Sequence, residues 1–174
     1  GGINNLTLMQ ESFIQNTNIF LKVMDTLYNV NIEVCVRPII HKTVPQISYG
    51  FDNTTINTID LSIPCMLSFN HDFDKGPHSF WVQFLNKDYS ESKPDQGIDM
   101  AVEIDSVAIH DIKLDRLKWA GKFYPIYPKD CEHNDTMLQP HTYLGWNGKW
   151  VIEFYTPVFT WIHRLENLGW LYSA

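Results

Sequence analysis

In the stretch His71-Asp72-Phe73-Asp74 two carboxylates fall on alternate residues ahead of a turn. Hard oxygen donors at that spacing can ligate Ca²⁺. Asp105 continues the acidic set, as do Asp95, Asp99, Asp111 and Asp115, so Asp72, Asp74 and Asp105 are the candidate metal ligands. The same aspartates also suit turns in which the side chain bonds its own backbone, and the EF-hand loop pattern is absent. A second set is aromatic. Trp119, Tyr124 and Tyr127 lie on a proline-rich segment, and Gly145 and Gly148 bracket Trp146-Asn147 as a turn. Exposed rings of this kind stack on sugar faces or anchor a protein interface. Trp119, Tyr124, Tyr127 and Trp146 are therefore the candidate carbohydrate- or partner-binding residues. Trp150 shares a strand face with Ile152 and Phe154, and Trp161 alternates with Phe159, so both are expected in the core.

Other chemistries find little support. His71, His78, His110, His133, His141 and His163 never fall in a zinc-binding spacing, although Cys131 and His133 share one loop. Ser79, Ser90 and Ser92 have no nucleophile elbow around them, and no glycine-rich phosphate or dinucleotide loop occurs. Paired carboxylates can always be found in an acidic chain, so they do not point to glycoside hydrolysis unless their separation is known. The expectation is a protein without a catalytic centre.

The chain has 174 residues, enough for one domain with a proper core. Its net charge of −7 and the absence of any Lys/Arg run exclude the electrostatic footprint of a nucleic-acid binder. Apolar runs are too short to cross a bilayer as a helix. Cys35, Cys65 and Cys131 form no framework, and read as free thiols.

The elements that must position these residues follow from periodicity. Leu6, Met9, Phe13, Phe20, Met24 and Leu27 predict a helix over 6–28, with a first strand over 19–28 as the alternative. From Asn29 onward the period becomes two. VNIEVCVRPII alternates Val30, Ile32, Val34 and Val36 against polar neighbours, and Pro38 confines the strand to an edge or an end. PQISYGF is a strand closed by the turn signal Asp52-Asn53, and INTIDLSIPCMLSF gives one or two more, broken at Pro64. NHDFDKGPH reads as a polar turn, HSFWVQFLNK as a strand, and KDYSESKPDQG as a solvated loop. IDMAVEIDSVAIHDIKL alternates cleanly until its phase slips near Asp105-Ser106, the mark of a bulge. Residues 117–143 read as a long irregular loop and Asn147-Gly148 as a hairpin turn, with KWVIEFYTP and VFTWIHRL as the last strands. The sum is an all-β, antiparallel β-sandwich, jelly-roll-like, over 29–174, preceded by an N-terminal arm or helix over 1–28.

Asn86-Lys87, Ile104-Asp105-Ser106-Val107, Leu144-Gly145-Trp146-Asn147-Gly148, Pro157 and Trp161 carry a resemblance over residues 30–172. The plan resembles small β-sandwich proteins encoded by tailed bacteriophages, marine ones in particular, and the architecture is similar to calcium-dependent carbohydrate-binding modules. The resemblance implies a non-enzymatic virion component in a tail, fibre or capsid surface. It would bind other virion proteins or a host-surface glycan, without membrane insertion, and assemble as a homo-oligomer. The alternative is a carbohydrate-binding module, with Ca²⁺ as its cofactor.

Overall fold

The computed structural model describes residues 9–11 and 26–167. Residues 9–11 are helical, while most of the helix expected over 6–28 lies outside the described residues. Among the described residues ten strands form two five-stranded antiparallel sheets. The first sheet holds β4 (Cys65–Phe73), β1 (Tyr28–Ile39), β6 (Ala101–Ile109) and β7 (Ile112–Lys113) in that order, with β9 (Tyr143–Leu144) also on β6. The second runs β3 (Thr54–Asp60), β2 (Gln46–Phe51), β5 (Gly76–Phe84), β10 (Asn147–Thr156) and β8 (Lys122–Ile126). The antiparallel β-sandwich is the fold.

Alternation places the core. Val30, Ile32, Val34 and Val36 from β1, and Phe80, Val82 and Phe84 from β5, are all at most 2% exposed. Met100, Val102, Ile104, Val107 and Ile109 are at most 1% exposed, and Trp150 and Phe154 are fully buried. Each such side chain contributes about 1.5–3 kcal/mol of burial before entropy is counted. The slip at Asp105 is a bulge: Cys35 pairs with Ser106 but Val36 with Ile104, leaving Asp105 as the extra residue. Both flanking sets of β6 thereby face inward. Pro38 sits past the end of the β4 pairing, which stops at Val36–Cys65, so its missing N–H costs no ladder bond on that side.

Several expectations are corrected. VFTWIHRL is not a strand but the start of α1 (Val158–Asn167). Val158, Trp161, Ile162 and Leu165 recur at three- and four-residue spacing and turn inward, while Phe159 is 58% exposed. Trp161 thus reaches the core edge from a helix, its ring 6.5 Å from that of Phe154. Asn147-Gly148 does not turn a hairpin, because β9 and β10 belong to different sheets and the segment between them crosses the sandwich. NHDFDKGPH is mostly strand: β4 runs to Phe73 and β5 starts at Gly76, leaving Asp74-Lys75 to switch sheets. The long loop contains β8, whose Phe123 also bridges to Leu138. The three cysteines are free. Among the described residues no helix is long and apolar enough to cross a membrane.

Candidate functional site

At the end of the sandwich where β10 begins, Tyr89, His133 and Trp146 bring rings from three segments to one cleft of about 460 Å³, and Tyr127 packs on two of them. Trp146 lies on the crossing between the sheets, Tyr127 just after β8, His133 in the following loop, and Tyr89 on the 3₁₀ turn Tyr89–Glu91. The Trp146 ring centroid is 5.1 Å from Tyr127, 5.6 Å from Tyr89 and 5.6 Å from His133, and Tyr127 stacks on His133 at 5.7 Å. Edge-to-face and tilted packing of this kind holds each ring by its neighbours. Ser92, Asp130, Cys131 and Gly145 complete the wall.

Local chemistry fixes the pieces. Asp88 caps the 3₁₀ turn, accepting from the Ser90 N–H at 3.0 Å and the Ser90 hydroxyl at 2.6 Å. Glu91, 4% exposed, accepts from the backbone N–H groups of Lys42 and Thr43 at 2.7 and 2.8 Å, tying the turn to the β1–β2 loop. The Tyr89 hydroxyl donates to the Ile126 carbonyl at 3.3 Å. Gly148 must be glycine. Its φ is +147°, and a Cβ there would come within 2.3 Å of the Tyr124 carbonyl oxygen, so the β8–β10 approach beside the cleft depends on it.

Beneath the rings lies a buried polar group. The Lys87 side chain is 1% exposed, and its Nζ donates to Asp99 Oδ1 at 2.6 Å and to the Met100 carbonyl at 2.5 Å. Asp99 also accepts from the Ser92 hydroxyl at 2.6 Å, the Tyr143 hydroxyl at 2.5 Å and the Met100 N–H at 2.8 Å. Burial by itself would raise the Asp99 carboxyl, but the bonds from Lys87, Ser92, Tyr143 and Met100 outweigh it and hold the group below its usual range. Burial, then the bond to Asp99, pushes the Tyr143 phenol well above its ordinary value. The Lys87 backbone N–H donates to Asn147 Oδ1 at 2.8 Å, and Asn86 ties β5 to Gln46 and Val44. Asn86-Lys87 and the Trp146-Asn147 crossing are thus one scaffold: the residues that carry the resemblance hold the floor of the cleft.

Of the four aromatic candidates, the structure brings Tyr127 and Trp146 together and leaves the other two elsewhere. Tyr124 is 41% exposed on the outer face of β8. Trp119 lies on the 3₁₀ turn Leu117–Ala120, with Lys118 Nζ 5.1 Å from its ring centroid. In the sequence Tyr89 falls in a solvated loop, its signal a lone ring in an otherwise polar run. His133 reads there as an ordinary surface or packing histidine, or as a weak metal donor beside Cys131.

The three aspartates do not converge. Asp72 on β4 accepts from Asn29 Nδ2 at 2.9 Å, Asp74 lies 3.0 Å from His78 Nε2, and Asp105, at the bulge in β6, lies 3.6 Å from Arg37 Nε. Arg37 and Asn29 are eight residues apart on β1, about 26 Å at ~3.3 Å per residue. Asp105 therefore cannot share an ion with Asp72. Among the described residues no three His, Cys, Asp or Glu side chains are grouped to hold a metal.

No family model matches the chain, and no curated protein matches it. Two solved structures of vCBM60 are among those similar to the chain. One is a selenomethionine form, from work on a circular permutation linking two families of calcium-dependent carbohydrate-binding modules. It has a TM-score of 0.46 and 15% identity over 70% of this chain and 88% of that one. The other is vCBM60 in complex with galactobiose, with a TM-score of 0.42 and 14% identity over 70% of this chain and 95% of that one. Calcium and galactobiose are properties of those proteins.

Proposed function

We propose that this chain is a non-catalytic module that takes a saccharide across the cleft of Tyr89, His133 and Trp146. The convergence of three rings from separate segments on one opening, with Tyr127 packed on Trp146 and His133, carries the reading. Aromatic faces match the C–H faces of sugar rings, and Asp130 supplies a hydrogen-bonding group at the wall. A volume of about 460 Å³ is in the range of small-molecule sites. The Lys87–Asp99 pair beneath is consumed by bonds to the chain's own groups, so its role is to fix the floor. Asp72, Asp74 and Asp105 do not fit a shared Ca²⁺ ion, and binding is derived without one.

The role that joins this cleft to the sequence resemblance is attachment to a host-surface glycan from a phage particle, as an oligomer beside other virion proteins. That context rests on the resemblance alone.

The test is a glycan array probed with the full chain, followed by titration of any ligand found. Trp146→Ala is expected to abolish the signal while Tyr124→Ala, on the outer face, keeps it, with thermal unfolding as the folding control. A flat array for the unaltered chain, or a ligand held equally by Trp146→Ala, overturns the reading.

A further inference from the structure

The opposite end of β10 carries a second cleft, of about 500 Å³, between the Asp74-Lys75 turn, the start of β1 and α1. Its lining residues include the aromatic Tyr28, Tyr155 and Trp161, Thr160, and two cations, Lys75 and Arg164. Among the described residues no aspartate or glutamate lines it, in a chain with 20 acidic residues against 13 lysines and arginines. Among the described residues neither Lys75 nor Arg164 is ion-paired, whereas Arg37, Lys87 and Lys122 each have a carboxylate partner. A local reversal of sign inside an acidic chain favours an anionic ligand. Rings beside the cations favour one whose charge is carried on a flat or C–H-rich body, since an isolated inorganic ion would leave the aromatic walls unused.

We propose that this cleft binds an anionic saccharide, a sugar ring bearing a carboxylate or sulfate, with Lys75 and Arg164 on the charged group and Trp161 and Tyr155 beside the ring. The site is separate from the Trp146 cleft. The ten residues of β10 lie between them, about 30 Å at ~3.3 Å per residue.

The experiment titrates the full chain with digalacturonate, with its carboxyl-reduced neutral counterpart, and with inorganic sulfate alone. Each titration is run at low and at 0.5 M salt, on the unaltered chain, on the Lys75→Gln/Arg164→Gln double variant and on Trp146→Ala. Digalacturonate is expected to bind at least about tenfold more tightly than the neutral disaccharide, to weaken with salt, and to lose that advantage in the double variant. Both substitutions are on the surface, and unchanged thermal unfolding confirms the fold. Equal binding of acidic and neutral disaccharides overturns the proposal. So does acidic binding that survives the double variant, or that disappears in Trp146→Ala alone, which would assign the ligand to the first cleft. Sulfate binding as tightly as digalacturonate overturns the saccharide part. Because the neutral disaccharide reports on the Trp146 cleft and the charge-dependent increment on this one, failure of either reading leaves a different pattern.

Discussion

The two ends of β10 solve opposite problems with the same residue types. At the Asn147 end a lysine lies under the aromatic cleft, every donor of Lys87 is spent on Asp99, Met100 and Ser92, and Tyr89, His133 and Trp146 line the opening. At the Thr156 end Lys75 stands on a turn, Arg164 on a helix, and both line the opening. What holds that end is instead His78, whose side chain is 10% exposed and which lies between Asp52 (Nδ1–Oδ2 2.7 Å) and Asp74. A buried lysine must be paired and becomes scaffold; an exposed one keeps its charge for a ligand. Burial, and not residue type, divides the paired lysine from the exposed one.

The largest effect that would break this comparison comes from Lys87. Lys87→Met removes one partner of a buried pair and leaves Asp99 and Tyr143 facing an apolar tip, so it is expected to cost about 3 kcal/mol and lower Tm by about 10 °C. Lys75→Met is expected to stay within about 0.5 kcal/mol. Equal losses by calorimetry would erase the distinction between the ends. Next comes Trp146→Ala, expected to weaken saccharide binding by at least about tenfold in titration, against less than about twofold for Tyr124→Ala.

A smaller effect is a pH dependence set by His78. Burial alone would lower its imidazolium, but the bonds and charges of Asp52 and Asp74 outweigh it and raise the pKa above the usual 6.5. A raised folded value means the contribution is fully present below about 6.5 and is lost as pH rises through the folded pKa. Tm is therefore expected to fall between about pH 6 and 8, with His78→Gln removing that component of the slope. Asp99 acts in the other direction: its lowered carboxyl stabilises above its unfolded value of about 3.9, a contribution lost as pH falls toward the folded pKa. A Tm flat across pH 6–8 in the unaltered chain would count against the clamp. The smallest effect is expected from chelation. With Asp72, Asp74 and Asp105 apart, EDTA should move Tm by less than about 1 °C, and a larger shift would require donors other than these three.

How much of this was legible depends on the range of the interaction. Val30 to Val36, Phe80 to Phe84 and Met100 to Ile109 state their faces by alternation, because successive side chains on a strand must point to opposite sides. Even the bulge at Asp105 shows as a lost beat. Residues 158–165 read as a strand because Val, Phe, Thr, Trp and Ile favour strands, and because Val158, Thr160 and Ile162 also alternate. Only packing of Val158, Trp161 and Ile162 against the core selects the helix. The cleft is half legible: Trp146, and Tyr127 that packs on it, stand out as rings near prolines and glycines, while Tyr89 and Lys87 look like an ordinary polar loop.

By itself the sequence determined the strand faces, the Asp52-Asn53 turn and the all-β class, since each follows from backbone geometry within a few neighbouring residues. Only the tertiary structure decided which strands share a sheet, that Tyr89 meets Trp146, and that Lys87 is buried while Lys75 is not. Those outcomes depend on contacts between residues far apart in the chain, whose pairing no local period encodes.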